Sequence, residues 1–188
     1  MKAVLISIRP KWCEAIAAGE KTIEVRKTRP NIKTPFKCYI YETKDTKGVH
    51  GFSVLGCYRI GKVIGEFVCD KIERLEYQEK YLRGVTSQTA IKYFSDKIKS
   101  TALSVDEIMN YGKGKPLYGW HISDLKIYDK PKELSEFYTI DESGNDCCIA
   151  CVFHETPLEE MPCRTCTGER KYLYRPPQSY MFVEEVEQ

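Results

Sequence analysis

Two sets of residues in this chain have the types and spacing that chemistry needs. The first lies in VLISIRPKWCEAIAAGEKTIEVRK, residues 4–27, where Lys21, Glu24 and Arg26 follow one another closely. Such a trio can bind, with cationic donors meeting phosphate or carbonyl oxygens and the carboxylate accepting from a base amine. It can equally be a structural ion-pair network. The second set is Cys148-x2-Cys151, followed after eleven intervening residues by Cys163-x2-Cys166. Two such pairs let four thiolates converge tetrahedrally on one Zn²⁺, and a closed four-sulfur shell is structural. Arg164, inside the second pair, would offset the charge of the tetrathiolate. Cys147 could replace Cys148, and His154 could replace one thiolate; free or redox thiols are the alternative.

The elements that must position the first set follow from periodicity. Val4, Ile6 and Ile8 share one face of a strand over 3–8, and Ser7 and Arg9 lie on the other. Pro10 suits a first helical position. Trp12, Cys13, Ile16 and Ala17 form an apolar stripe, and Gly19 closes a helix over 10–18 as a left-handed cap. In the strand TIEVR, Ile23 and Val25 face the core while Thr22, Glu24 and Arg26 share the opposite face. A loop over 28–36 is rich in proline and basic residues.

Further strands are predicted over 37–43, with Tyr39 and Tyr41 on one face, and over 53–59 and 62–71. In the last of these Ile64, Glu66 and Val68 share a face, so Glu66 is an acid inside an apolar pattern. Ala90, Ile91, Phe94 and Ile98 mark a helix over 86–99, and Ser104 with Glu107 has capping-box spacing for a short helix ending at Gly112. Residues 117–128 read as one long strand, and RPPQSYMFVEEV leads into a last one. Many strands, few helices and a chance for the first and last strands to pair point to a small mixed barrel in one domain over 1–188. The cysteine-rich stretch 139–171 is an insertion within it, with little apolar content and stability to be supplied by metal.

Composition narrows the setting. With 188 residues, 42% hydrophobic and 30% charged, the chain is ordinary for a soluble globular domain. No apolar run approaches the ~20 residues of a membrane span, and the N-terminus has neither the length nor the cleavage site of a signal peptide. The cytosol is the expected compartment. Residues 1–65 carry 13 Lys/Arg against 5 Asp/Glu, a net of +8, and the overall +2 leaves −6 for the remainder. A basic first third suits a polyanion, although charges on a solvated surface also cluster by chance. Of nine cysteines, Cys13, Cys38, Cys57 and Cys69 sit in apolar patterns as reduced core residues. The clustered five favour metal over disulfides in a reducing compartment.

The stretch SIRPKWCEAIAAGEKTIEVRK closely resembles the opening of the ASCH (activating signal cointegrator homology) domain, a relative of the PUA domains. The resemblance rests on Ser7-x-x-Pro10, on Gly19-Glu20-Lys21-Thr22 at the helix end and on Glu24-x-Arg26-Lys27. It continues through GKVIGEF, YGWHISDL and RPPQSYMFVEE, covers most of the chain outside the insertion, and looks most like ASCH proteins of bacteria and their phages. It implies an α+β, PUA-like mixed β-barrel with short helices and a cleft beside the first helix. It also implies an RNA- or nucleotide-like ligand. One enzymatic branch of the family hydrolyses the acetyl amide of N4-acetylcytidine with a lysine, a threonine and a later glutamate. Lys21 matches the lysine, Glu24 stands at the threonine position, and Glu66 is a candidate for the glutamate.

In the binding reading, Arg9, Lys21, Arg26 and Lys27 hold phosphate or base oxygens and Glu24 accepts from an exocyclic amine. Trp12, Tyr41 or Trp120 could stack a base, although both tryptophans also suit a core. Ser7, Gln178 and Ser179 could line the cleft, the last two alternatively capping a turn. His121 reads as a strand histidine. A third reading makes the zinc insertion a docking site for a protein partner and the barrel a passive scaffold.

Overall fold

The computed structural model describes residues 3–44, 61–75, 96–140 and 173–185. The expected strand over 53–59, the start of the 86–99 helix, Cys57 and the whole cysteine cluster lie outside them, as does the insertion beyond residue 140.

Strands dominate. The order is β1 (Ala3–Ile8), α1 (Pro10–Ala17), β2 (Ile23–Arg26), β3 (Phe36–Glu42), β4 (Val63–Cys69), β5 (Ile72–Leu75), α2 (Val105–Gly112), β6 (Leu117–His121), β7 (Ser123–Lys132), β8 (Phe137–Thr139) and β9 (Tyr180–Glu185). Residues 96–101 are also helical. One six-stranded sheet runs β7-β4-β3-β1-β9-β8 and a three-stranded sheet runs β2-β6-β5. β1 is central, parallel to β3 and antiparallel to β9, with Leu5 opposite Tyr39 on one side and Met181 on the other. Being paired at both edges, it is buried along nearly its whole length, as its near-continuous apolar run requires. Among the described residues the two sheets remain separate and no ladder closes them into the expected barrel.

The region expected as one strand over 117–128 is two strands in different sheets. The chain breaks at Ile122, whose N–H donates to Thr22 O instead of joining a ladder. Asp124 just beyond takes a positive φ of 46°. That bend hands the chain from the small sheet to the large one. β5, a four-residue IERL strand beside β6, has too little alternation to be seen in the sequence.

Of three buried clusters, one lies on the outer face of the large sheet and two lie against the small sheet. Val4, Ile6 and Ile8 of β1, Cys13 and Ile16 of α1, and Trp120 of β6 bury against one another between the sheets. Val25, Leu75 and Leu117 on the far face of the small sheet pack with Ile108 of α2 and the partly buried Leu103. β2 is therefore buried on both faces. Ile23 and Val25 face the helices, while Glu24 and Arg26, on the opposite face of the strand, look in between the sheets.

A register irregularity in β4 between Val63 and Gly65 changes the expected faces there too. Ile64 joins the inter-sheet core with Phe67 and Cys69, whereas Glu66 lies opposite Tyr39 on the other face. Cys13, Cys38 and Cys69 are buried free thiols. Burial raises all three, Cys69 to about 12, so they are inert apolar packing. No helix among the described residues is long and apolar enough to cross a membrane.

Candidate functional site

A cavity of about 370 Å³ opens between α1, β2 and α2. Ser7, Ile8 and Arg9 reach it from the end of β1, and Trp12 from α1. Lys21, Glu24, Val25 and Arg26 form its floor; Leu103, Glu107, Asn110 and Tyr111 form the facing wall.

Local rules put these groups there. Pro10 opens α1 directly after β1, so Arg9 becomes the N-cap at the mouth. Gly19 at φ +74° turns the chain back, and the Glu20 and Lys21 N–H groups both donate to Ala15 O. That turn delivers Lys21 into the interior, where it is 2% exposed. The capping box is realised: Ser104 Oγ accepts from Glu107 N–H at 3.1 Å and Glu107 Oε2 accepts from Ser104 N–H at 2.8 Å. It fixes the start of α2 and so the position of Glu107, Asn110 and Tyr111.

The floor is a chain of charges. Lys21 Nζ donates to Thr101 O at 2.7 Å and Ile23 O at 3.0 Å, and lies 3.3 Å from Glu24 Oε2. Glu24 Oε1 lies 3.4 Å from Arg26 Nη1. Arg26 Nη1 also donates to Ser7 O at 3.0 Å, and its Nη2 donates to Ser179 O. A carboxylate buried between two cations is the arrangement that lets charge persist away from water. Burial lowers the proton affinity of Lys21, an effect that Glu24 partly offsets.

The mouth is more open. Lys11 pairs with Glu107 at 3.4 Å and sits 4.2 Å from the centre of the Trp12 ring, tying α1 to α2. Lys27 Nζ lies 4.7 Å from the centre of the Tyr111 ring. Burial raises the Tyr111 phenol, and a hydrogen bond from the Ser104 backbone chiefly lowers Glu107.

Of the residues nominated from sequence, the structure brings Ser7, Arg9, Trp12, Lys21, Glu24 and Arg26 to this cavity, with Lys27 at its rim. Ser179 contributes its carbonyl to Arg26, and its hydroxyl lies 2.9 Å from Thr28 Oγ1; Gln178 beside it is exposed. Tyr41 is buried on the outer face of the large sheet, and Trp120 is fully buried with its ring edge-on to Phe36 at 5.7 Å. Glu66 is apart, accepting from Tyr128 Oη at 2.6 Å and Lys37 Nζ at 3.1 Å. Sequence reasoning did not nominate Leu103, Glu107, Asn110 or Tyr111. The spacing of the last three, i, i+3 and i+4, was the available signal that they share a helix face.

A separate polar cluster joins the small sheet to segment 96–101. Glu73 pairs with Lys97, and its Oε1 lies 3.0 Å from His121 Nε2. No group of three or more His, Cys, Asp or Glu among the described residues is placed to hold a metal ion.

The ASCH domain model matches residues 6–129. Over 54 residues, 29% of this chain, the sequence is 37% identical to an "ASCH domain-containing ribonuclease" of Zymomonas mobilis. The match spans about a third (36%) of that relative's length. The crystal structure of ASCH from Zymomonas mobilis covers 98% of both chains at 18% identity with a TM-score of 0.53. A mutant form of that protein covers 97% of this chain and 88% of its own at 18% identity, with a TM-score of 0.50. At that identity the likeness is one of fold.

Proposed function

We infer, for a chain that belongs to the ASCH domain family, that the cavity between α1, β2 and α2 binds RNA or a related nucleotide ligand. One observation carries this: exposed Arg9 and half-buried Trp12 stand over a buried Lys21–Glu24–Arg26 floor. Arg9 and Lys27 would take phosphate oxygens. Trp12 and Tyr111 offer faces for an unpaired base, and the Asn110 amide offers a donor and an acceptor to its edge. Lys21 and Arg26 are each held by two backbone carbonyls and by Glu24, so they set the shape and charge of the floor and present Glu24 to an exocyclic amine. The ribonuclease name of the Zymomonas relative is in keeping with an RNA ligand. RNA affinity is expected to fall with salt and to drop about tenfold in Arg9→Ala or Trp12→Ala, consistent with ~1–3 kcal/mol per stacked base. Unchanged affinity in both variants would remove the cavity as the binding site.

A second reading is hydrolysis of RNA or of an N4-acetylcytidine-like nucleoside. It is favoured by a buried amine of lowered proton affinity held against a carboxylate. Glu24 would activate water, and the nearby Lys21 charge would favour the negative charge that develops on the scissile group, with no hydrogen bond donated to it. Product release from RNA or acetylcytidine that persists in Glu24→Gln would exclude this assignment; Glu66 lies on the opposite face of the large sheet.

We propose that the complete fold is a PUA-like barrel. The ion pair between Lys132 on β7 and Glu185 on β9 supports this, because it draws one edge strand of the large sheet toward the strand next to the other edge. For the insertion we propose structural zinc held by Cys148, Cys151, Cys163 and Cys166, with Cys147 or His154 as the alternative ligand. The donor set of paired thiolates fits that metal. Much less than one zinc per chain after chelator-free purification would overturn it. A protein partner docking there would be retained by Lys21→Ala and lost in Cys163→Ser. Buried reduced thiols suit a cytosolic protein.

A further inference from the structure

Resting on the binding reading above, we propose that the ligand is a single-stranded oligonucleotide. One nucleotide occupies the cavity, and the adjoining phosphates run over a basic ridge formed by Lys27, Arg29 and Lys33. From Val25 to Tyr41 the chain contains five Lys or Arg and no Asp or Glu. Arg26 is spent on the site floor, and Lys37 is paired with Glu66. Lys27, Arg29 and Lys33 are exposed, and no ion pair to any of them occurs among the described residues. Ordinary surface lysines are interspersed with acids; three uncompensated cations in seven residues are a strip of positive potential.

The ridge is built and begins at the cavity. Lys27 lies over Tyr111 at the mouth. Thr28 Oγ1 meets Ser179 Oγ at 2.9 Å, and Tyr180 Oη donates to Arg29 O at 3.3 Å. Arg26, one residue before the ridge, grips the Ser179 carbonyl. The start of β9 therefore holds this loop in place, so its cations are positioned at little entropic cost. A second concavity lies along it, lined by Arg29, Asn31, Lys33 and Thr34, with the partly buried Ile32 and Ile72 at its base. A free nucleoside would leave that ridge unused, and a double helix would not deliver a base into a cavity walled by two helices. An unpaired strand satisfies both features, with a base in the cavity and backbone along the groove.

The experiment compares a single strand of about six nucleotides, as RNA and as DNA, with the nucleoside 5′-monophosphates, on the folded full chain. The wild type is expected to bind the strand at least tenfold tighter than any monophosphate. The Arg29→Gln/Lys33→Gln variant, which spares Lys27 at the cavity mouth, should keep monophosphate affinity within about twofold and lower the salt slope of strand binding by about 1.4, at ~0.7 per phosphate contact. Trp12→Ala should weaken both ligands. Strand affinity and slope that match wild type in the double variant would overturn the ridge and leave the cavity reading standing. Equal affinity of wild type for strand and monophosphate would do the same. Binding of neither ligand by the wild type would overturn the binding reading itself.

Discussion

Lys21 Nζ and Glu24 Oε2 lie 3.3 Å apart, at 2% and 8% side-chain exposure, and the lysine's other donors are taken by Thr101 O and Ile23 O. The ammonium is thus fixed from three directions. It joins β2 to the residue that ends helical segment 96–101, which is a structural task as well as a chemical one.

Removing Lys21 should therefore cost stability before it costs function. Lys21→Ala leaves Glu24 short of one cation and two carbonyls without a donor, a loss of about 3 kcal/mol. Denaturant titration should show a lower midpoint with an unchanged slope. Because the folded-state affinity of Lys21 for its proton is lowered, the burial cost is present below the folded pKa and relieved as pH rises toward 10.5. The wild-type advantage over Lys21→Met should accordingly change only on the alkaline side.

Arg26 ties the end of β1 to a carbonyl 153 residues further along the chain than itself. It reaches Ser7 O from Nη1 and Ser179 O from Nη2. A lysine has one compact ammonium in place of that fork. Arg26→Lys should lose about 1–2 kcal/mol, and amide exchange should quicken at the start of β9 more than in β4.

Gly65 is required by a close approach. A Cβ there would meet Lys126 O at 2.5 Å and Ile127 Cα at 3.2 Å, both backbone. Gly65→Ala must push β7 away from β4, at about 2 kcal/mol. Thermal unfolding should report it, with the cavity's ligand affinity changed little in the fraction that folds.

Ser104 sits outside the cavity yet sets its far wall. Ser104→Ala removes the cap of α2 and should cost about 1 kcal/mol. Fraying of that helix displaces Glu107, Asn110 and Tyr111, so ligand affinity should fall, while Ser104→Asp should keep both stability and binding. Isothermal titration alongside a thermal melt separates the two effects.

Glu73 gives an acid-side prediction. Burial works to raise its pKa, but hydrogen bonds from Lys97 and His121 outweigh it and the net effect is a lowered value. A lowered carboxylate contributes stability above its unfolded pKa and loses it as pH falls through the folded one. The melting-temperature gap between wild type and Glu73→Gln should be widest near neutrality and close once the pH drops below about 4.

The local elements were legible because their signals are local. Pro10 and Gly19 bracket α1, and Ser104 with Glu107 marks α2. What sequence could not carry was the placement of faces by distant partners. Alternation puts Glu24 and Arg26 opposite Ile23 and Val25, but it cannot say that helices cover one face and a second sheet the other. The one-residue irregularity in β4 moved Glu66 away from Ile64, and no residue type there announces it. The break at Ile122 was hidden for the same reason: the Thr22 carbonyl that captures its N–H lies 100 residues earlier. One wall of the cavity comes from α2, whose polar face reads as ordinary solvated surface until α1 is seen beside it.

The pairing of β1 with β9 also has a consequence in time. Ala3 to Ile6 must wait for Tyr180 to Val183 before the sheet is complete. At roughly 5–20 residues per second, synthesis separates the two by about ten seconds or more. Throughout that interval one edge of β1 is an open template for any other nascent chain. The Ser179 carbonyl that anchors Arg26 arrives in the same late segment. The floor of the cavity is therefore complete only once Ser179 has been made, and until then the open edge of β1 has to be kept from pairing with other chains.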